Sequence, residues 1–158
     1  MGYDTGRPIG AEERRAQTVV WLVVNAVNLL QALGFATRPF AAWVNPALGI
    51  VIALLAVPAT YALVVFVRAG SGRLAMAGPL TFDVFVVFMI VVDYVTRFEW
   101  RDPAVALVQI PYLGLFFGSI LLMGLPMYRS DRRRWRVTAV TTTLLLAAML
   151  FATWRGEG

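Results

Sequence analysis

Two carboxylates, Asp83 and Asp93, lie inside an otherwise apolar stretch from Leu80 to Thr96. An ionisable group in such a segment is costly in hydrocarbon, turns toward the protein interior and there can meet a proton or a cation. On a helix turning about 100° per residue, Asp83 and Tyr94 fall about 20° apart, with Arg97 about 40° to the other side. Asp93 lies about 80° from Asp83, on the side of Arg97. The four residues share one face, which predicts that this helix sits within a bundle. Because Asp83 follows Gly78-Pro79, it is expected in the first turn, where a carboxylate meets unpaired N–H groups and the positive end of the helix dipole. Asp93 and Arg97 have the i,i+4 spacing of a local ion pair. Against these structural roles stands a proton- or cation-linked site, for which Asp83 is the stronger candidate because the sequence offers it no evident partner.

Other polar groups fall at helical spacing within apolar runs. Gln17, Trp21, Asn25 and Asn28 recur at intervals of four, four and three, the spacing of one helix face. Amides at this depth hydrogen-bond across to a neighbouring helix, or line a polar cavity. Gln109, Tyr112, Phe116 and Ser119 gather within about 80° on another helix, and Gly114 and Gly118, spaced as GxxxG, lie opposite Gln109. Such a glycine face admits close approach by a second helix, from this chain or another copy. Pro111 is expected to kink this helix near mid-span. Thr141, Thr142 and Thr143 read as packing residues that bond one turn back or across to a neighbour. Together these faces predict a ligand pocket lined by Asn25, Asn28, Asp83, Tyr94, Gln109 and Tyr112.

All 14 basic residues are arginine, and they cluster at the ends of the apolar runs. Arg129, Arg132, Arg133, Arg134 and Arg136 surround Trp135 in what reads as a loop anchored among anionic lipid headgroups. The net charge of +5 reflects these flanks, and no basic, aromatic-interleaved module calls for nucleic acid. Cysteine and histidine are absent. Histidine-ligated haem, Cys/His zinc, thiolate iron–sulfur clusters, a cysteine nucleophile and a Ser-His-Asp triad are therefore excluded as self-contained sites. No cofactor or metal is expected, and an enzyme acting on lipid through Asp83 or Asp93 ranks last because no paired catalytic constellation accompanies them.

The elements that must position these residues follow from hydropathy. The chain is 59% apolar and only 15% charged, with a mean hydropathy of +0.72, too little polar surface for a fold in water. Five runs are long enough for a hydrocarbon core: residues 18–35, 46–67, 80–96, 105–127 and 137–154. The first lacks a convincing cleavage site and reads as a retained span. The expectation is an all-α integral membrane bundle, one polytopic domain over residues 1–158, joined by short loops. The arginine bias puts the N-terminus in the cytoplasm and the C-terminus outside, in the cell membrane. The leading functional reading is a small binding or transport bundle. The alternative is an accessory subunit that assembles with itself or with a membrane partner.

Overall fold

The computed structural model describes residues 9–41, 43–96 and 105–155, and over them the chain is 91% helical with no strand. Six α-helices follow in order: α1 (Ala11–Ala41), α2 (Val44–Leu54), α3 (Ala56–Arg68), α4 (Arg73–Met89), α5 (Ala106–Ser130) and α6 (Arg132–Trp154). A π-helical segment, Ile90–Val95, extends α4. These make five helices long and apolar enough to cross a membrane, with α2 and α3 forming one span and α4 with its π segment another. The spans are longer than hydropathy alone gives, because arginines and glutamates at their ends continue the helical hydrogen bonding beyond the apolar run.

Interruptions have local causes. Pro58 has no N–H to give to Leu54 one turn back, and its ring crowds that carbonyl, so the second span breaks at Leu55. The turn after α3 closes by a Schellman motif: Ser71 N–H donates to the Phe66 carbonyl at 2.9 Å and Gly70 N–H to Val67 at 3.1 Å. Gly70 takes the required positive φ of 63°. In the π segment the Thr96 N–H reaches back five residues to Val91 at 2.8 Å, which marks the widened turn.

α4 lies along α5, α1 lies along α6, and α3 sits between α1 and α4. The shared core is apolar and aromatic: Val23, Val24 and Val27 from α1, Phe66 from α3, Phe82, Phe85 and Met89 from α4, Phe116, Ile120 and Met123 from α5. Phe85 stacks edge-on against Tyr112 and tilted against Phe116, both at 5.4 Å between ring centres. α4 approaches α5 through Gly78: a Cβ added there would meet the Met123 backbone nitrogen at 2.7 Å. Leu33, Val57, Val87, Leu107, Ile110, Leu150 and Trp154 point outward, an apolar exterior suited to lipid.

The arginines gather at one end. Ser71 Oγ donates to Glu13 at 2.6 Å and Trp21 Nε1 to the Arg134 carbonyl at 3.2 Å, joining the start of α1, the α3–α4 turn and the α5–α6 turn. That end carries Arg14, Arg15, Arg68, Arg73, Arg132, Arg133, Arg134 and Arg136. At the opposite end, where Tyr94 donates to the Pro46 carbonyl at 2.8 Å, the described arginines are Arg38 and Arg155.

The expected arginine loop is helical instead. α5 continues to Ser130 and α6 begins at Arg132, leaving Asp131 alone between them. Its carboxylate accepts from the Arg133 and Arg134 N–H groups at 3.0 and 3.1 Å and pairs with Arg134 Nε at 3.2 Å. This cap offsets the cost of packing arginines against the positive end of a helix dipole. Trp135 meets Tyr128 edge-on at 5.2 Å. Pro111, expected near mid-span, falls in the second turn of α5, which runs through it unbroken.

Candidate functional site

Asp83 occupies a different place from the one its sequence context predicts. α4 starts at Arg73 with Gly72 as its N-cap, so Pro79 lies in the second turn and Asp83 about three turns in. Gly78-Pro79 reads like a helix start, but the glycine serves the close approach to α5, and a proline this early leaves only one carbonyl unpaired. The free N–H groups of a helix terminus are therefore not available to Asp83. What it has is a neighbour across the bundle: Thr60 Oγ1, on α3, donates to Asp83 Oδ2 at 2.9 Å. The other oxygen, Oδ1, is buried and has no hydrogen-bond partner among the described residues.

Around α4, Asp83 stands about 140° from Gly78, at the margin between the face packed on α5 and the outward face. A groove of about 420 Å³ begins there and runs along Val84, Val87, Phe88 and Val91. Its accessible walls are hydrocarbon, and the buried Oδ1 of Asp83 lies at its margin without opening onto it. The groove as it stands takes an apolar body, and a polar group reaches the carboxylate only once the Asp83 side chain turns outward.

The remaining predicted residues separate into distinct contacts. Asn25 and Asn28 face α6, where they form a continuous hydrogen-bonded seam. Asn25 Nδ2 donates to Thr138 Oγ1 at 3.1 Å, and its Oδ1 accepts from Thr141 at 2.8 Å. Asn28 Nδ2 donates to Thr141 and Thr142 at 3.1 and 2.9 Å. Asn28 is fully buried, and its Oδ1 is the second buried oxygen with no partner. Trp21 extends the seam to the arginine-rich end, where the Arg134 guanidinium lies 5.5 Å from its ring centre.

Tyr112 and Asp93 are brought together, the tyrosine donating to Asp93 Oδ2 at 3.0 Å. Asp83 and Tyr94 both face the second span, as their spacing predicts, whereas the π segment turns Asp93 toward α5. Gln109, in the first turn of α5, makes no side-chain hydrogen bond among the described residues. No hydrogen bond joins Asn25 or Asn28 to Asp83 among the described residues, and of the six predicted residues Asp83 alone lines the groove. The Asp93–Arg97 pair cannot be followed, since Arg97 lies outside the described residues, as does the side chain of Arg129.

Gly114 and Gly118 face open space: a Cβ added at either would touch nothing within 4 Å. The close approach they were expected to permit is not made among the described residues. Thr60 is the residue that sequence reasoning missed. Its signal was a small hydroxyl beside Tyr61 in an otherwise apolar run, the same kind of signal that marked Asn25. No family model, curated protein or solved structure matches this chain.

Proposed function

We propose that this chain is a small multi-pass membrane bundle of the binding or transport type, in which Asp83 receives the cationic or protonated group of a ligand. One observation carries the reading: a carboxylate inside a helix apolar enough to cross a membrane has one oxygen held by Thr60 and the other buried without a partner among the described residues. Buried carboxylate oxygens are ordinarily satisfied, and one left open beside an apolar groove is a site awaiting a donor. The groove along Val84, Val87, Phe88 and Val91 takes the apolar part of the ligand. In this reading Asn25 and Asn28 hold α1 on α6, and Tyr112 and Tyr94 fix the outer end of the third span.

The test is native mass spectrometry of the protein extracted gently from its own membrane. A discrete non-lipid adduct, present in the parent and lost in Asp83→Asn, is the expected result. A mass that always contains another polypeptide would instead favour an accessory subunit, a reading supported by the unpartnered Gly114–Gly118 face.

The arginine-rich end faces the cytoplasm in this proposal and the C-terminus lies outside the cell membrane. The chain has no cysteine, so single introduced ones report on topology. Gly10→Cys, where an added side chain meets open space, is expected to resist an impermeant maleimide in intact cells. Arg155→Cys is expected to react, and the reverse pattern would invert the orientation.

A further inference from the structure

A second cavity lies away from Asp83, at the arginine-rich end. It is a cleft of about 630 Å³ between the start of α1 and α3, lined by Ala11, Arg14, Arg15, Thr18, Val19 and Tyr61. Its chemistry changes with depth. Arg14 and Arg15 stand near the start of α1, at the arginine-rich end. Val19 lies about 6–8 Å farther along α1, and Tyr61 about 10 Å in from the end of α3.

The hydrogen-bonding groups of the cleft are mostly donors with capacity to spare. Arg14 gives one N–H to the Ile9 carbonyl at 3.1 Å and retains the others. The Thr18 proton is committed to the Arg14 carbonyl at 2.9 Å. The Arg15 guanidinium and the Tyr61 hydroxyl have no partner among the described residues. Glu13, the acid next to this arginine pair, accepts from Ser71 at 2.6 Å and does not line the cleft. Two cations with free N–H groups above hydrocarbon walls match an anion attached to an apolar body.

We propose that this cleft binds one anionic phospholipid, with its phosphate between Arg14 and Arg15 and its first acyl carbons against Val19 and the Tyr61 ring. The Tyr61 hydroxyl donates to the ester oxygens below the phosphate. The site is separate from the arginines of α6 and does not depend on the reading of Asp83.

The test uses the full chain in nanodiscs of phosphatidylcholine with a minority of phosphatidylglycerol, and native mass spectrometry to count retained lipid. The parent is expected to keep one phosphatidylglycerol. Arg14→Gln with Arg15→Gln should lower that retention by about tenfold or more. Arg73→Gln with Arg155→Gln removes the same charge elsewhere and should leave retention unchanged. Recovery in Arg14→Lys with Arg15→Lys ties the loss to positive charge rather than to misfolding. Equal loss in both glutamine pairs, no loss in either, or no recovery with lysine would overturn the proposal. Equal retention of phosphatidylcholine would overturn the anion preference. Displacement of the lipid by inorganic phosphate alone would make this a free-phosphate site and overturn the lipid assignment.

Discussion

Asn25 and Asn28 on the first span and Asp83 on the third are polar groups at similar risk in hydrocarbon, yet their surroundings differ. The asparagines meet a matching row of hydroxyls, Thr138, Thr141 and Thr142, and between them they tie two helices together along their length. Asp83 has one hydroxyl, Thr60, and borders an apolar groove. Both regions leave an oxygen without a partner, but the Asn28 oxygen belongs to a neutral amide, whereas the Asp83 oxygen belongs to an acid. An unpaired neutral acceptor costs about 1–3 kcal/mol, and an unpaired charge costs more. The first arrangement has the character of assembly. The second ties α3 to α4 by a single hydroxyl and leaves an acid at the edge of an apolar groove.

Four variants break or sharpen this contrast. The largest loss is expected at Gly78→Val, because the new side chain meets backbone at Met123 and α4 must move off α5. Unfolding in mild detergent should show about 3 kcal/mol of destabilisation. That variant separates the folding of α4 from the chemistry of Asp83 on the same helix. Next comes the seam: Asn25→Leu together with Asn28→Leu should cost about 2 kcal/mol in the same assay, since each amide bond across helices contributes up to about that much. A loss below about 0.5 kcal/mol would mean that the seam is ornamental and that apolar packing alone holds α1 on α6.

Asp83→Asn is expected to change stability by less than about 0.5 kcal/mol, because an amide oxygen can still accept from Thr60. Its ligand adduct should nevertheless disappear. Stability loss as large as that of the asparagine pair would place Asp83 in the assembly class and end the contrast. A gain rather than a loss is expected at Gly114→Ala with Gly118→Ala, where open space receives the methyl groups. The isolated chain should gain up to about 2 kcal/mol from helix propensity. Loss of a co-purifying polypeptide in this variant would move the accessory reading ahead of the binding one.

The five spans were legible because hydropathy reports a solvent, and lipid leaves a long and simple mark. The seam was half legible: Asn25 and Asn28 stand on one face in the sequence, whereas the threonines that answer them carry no spacing that names a partner. Positions near proline and glycine were read less well. Gly78-Pro79 has the composition of a helix start, and only the path of α5 explains why a glycine is kept inside α4. Conversely, Gly114 and Gly118 carry the familiar spacing of a helix contact, but the chain's own contact uses Gly78, where no such motif exists. Spacing shows that backbone can approach; it does not say whether another helix is there. The π segment left no trace that periodicity could detect, since one widened turn shifts Asp93 without altering the apolar pattern. Asp131 was similarly inconspicuous, one acid among arginines, until its carboxylate was seen to cap α6.

That single-residue connection has a mechanical consequence. With only Asp131 between α5 and α6, and its side chain holding the first N–H groups of α6, the last two spans are hinged too tightly to rotate independently at that end. The second span, by contrast, is jointed at Leu55, and the third changes helical gauge at Ile90. Bending of the spans that border the Asp83 groove is therefore concentrated at Leu55 and Ile90, whereas the α5–α6 turn is pinned by its cap.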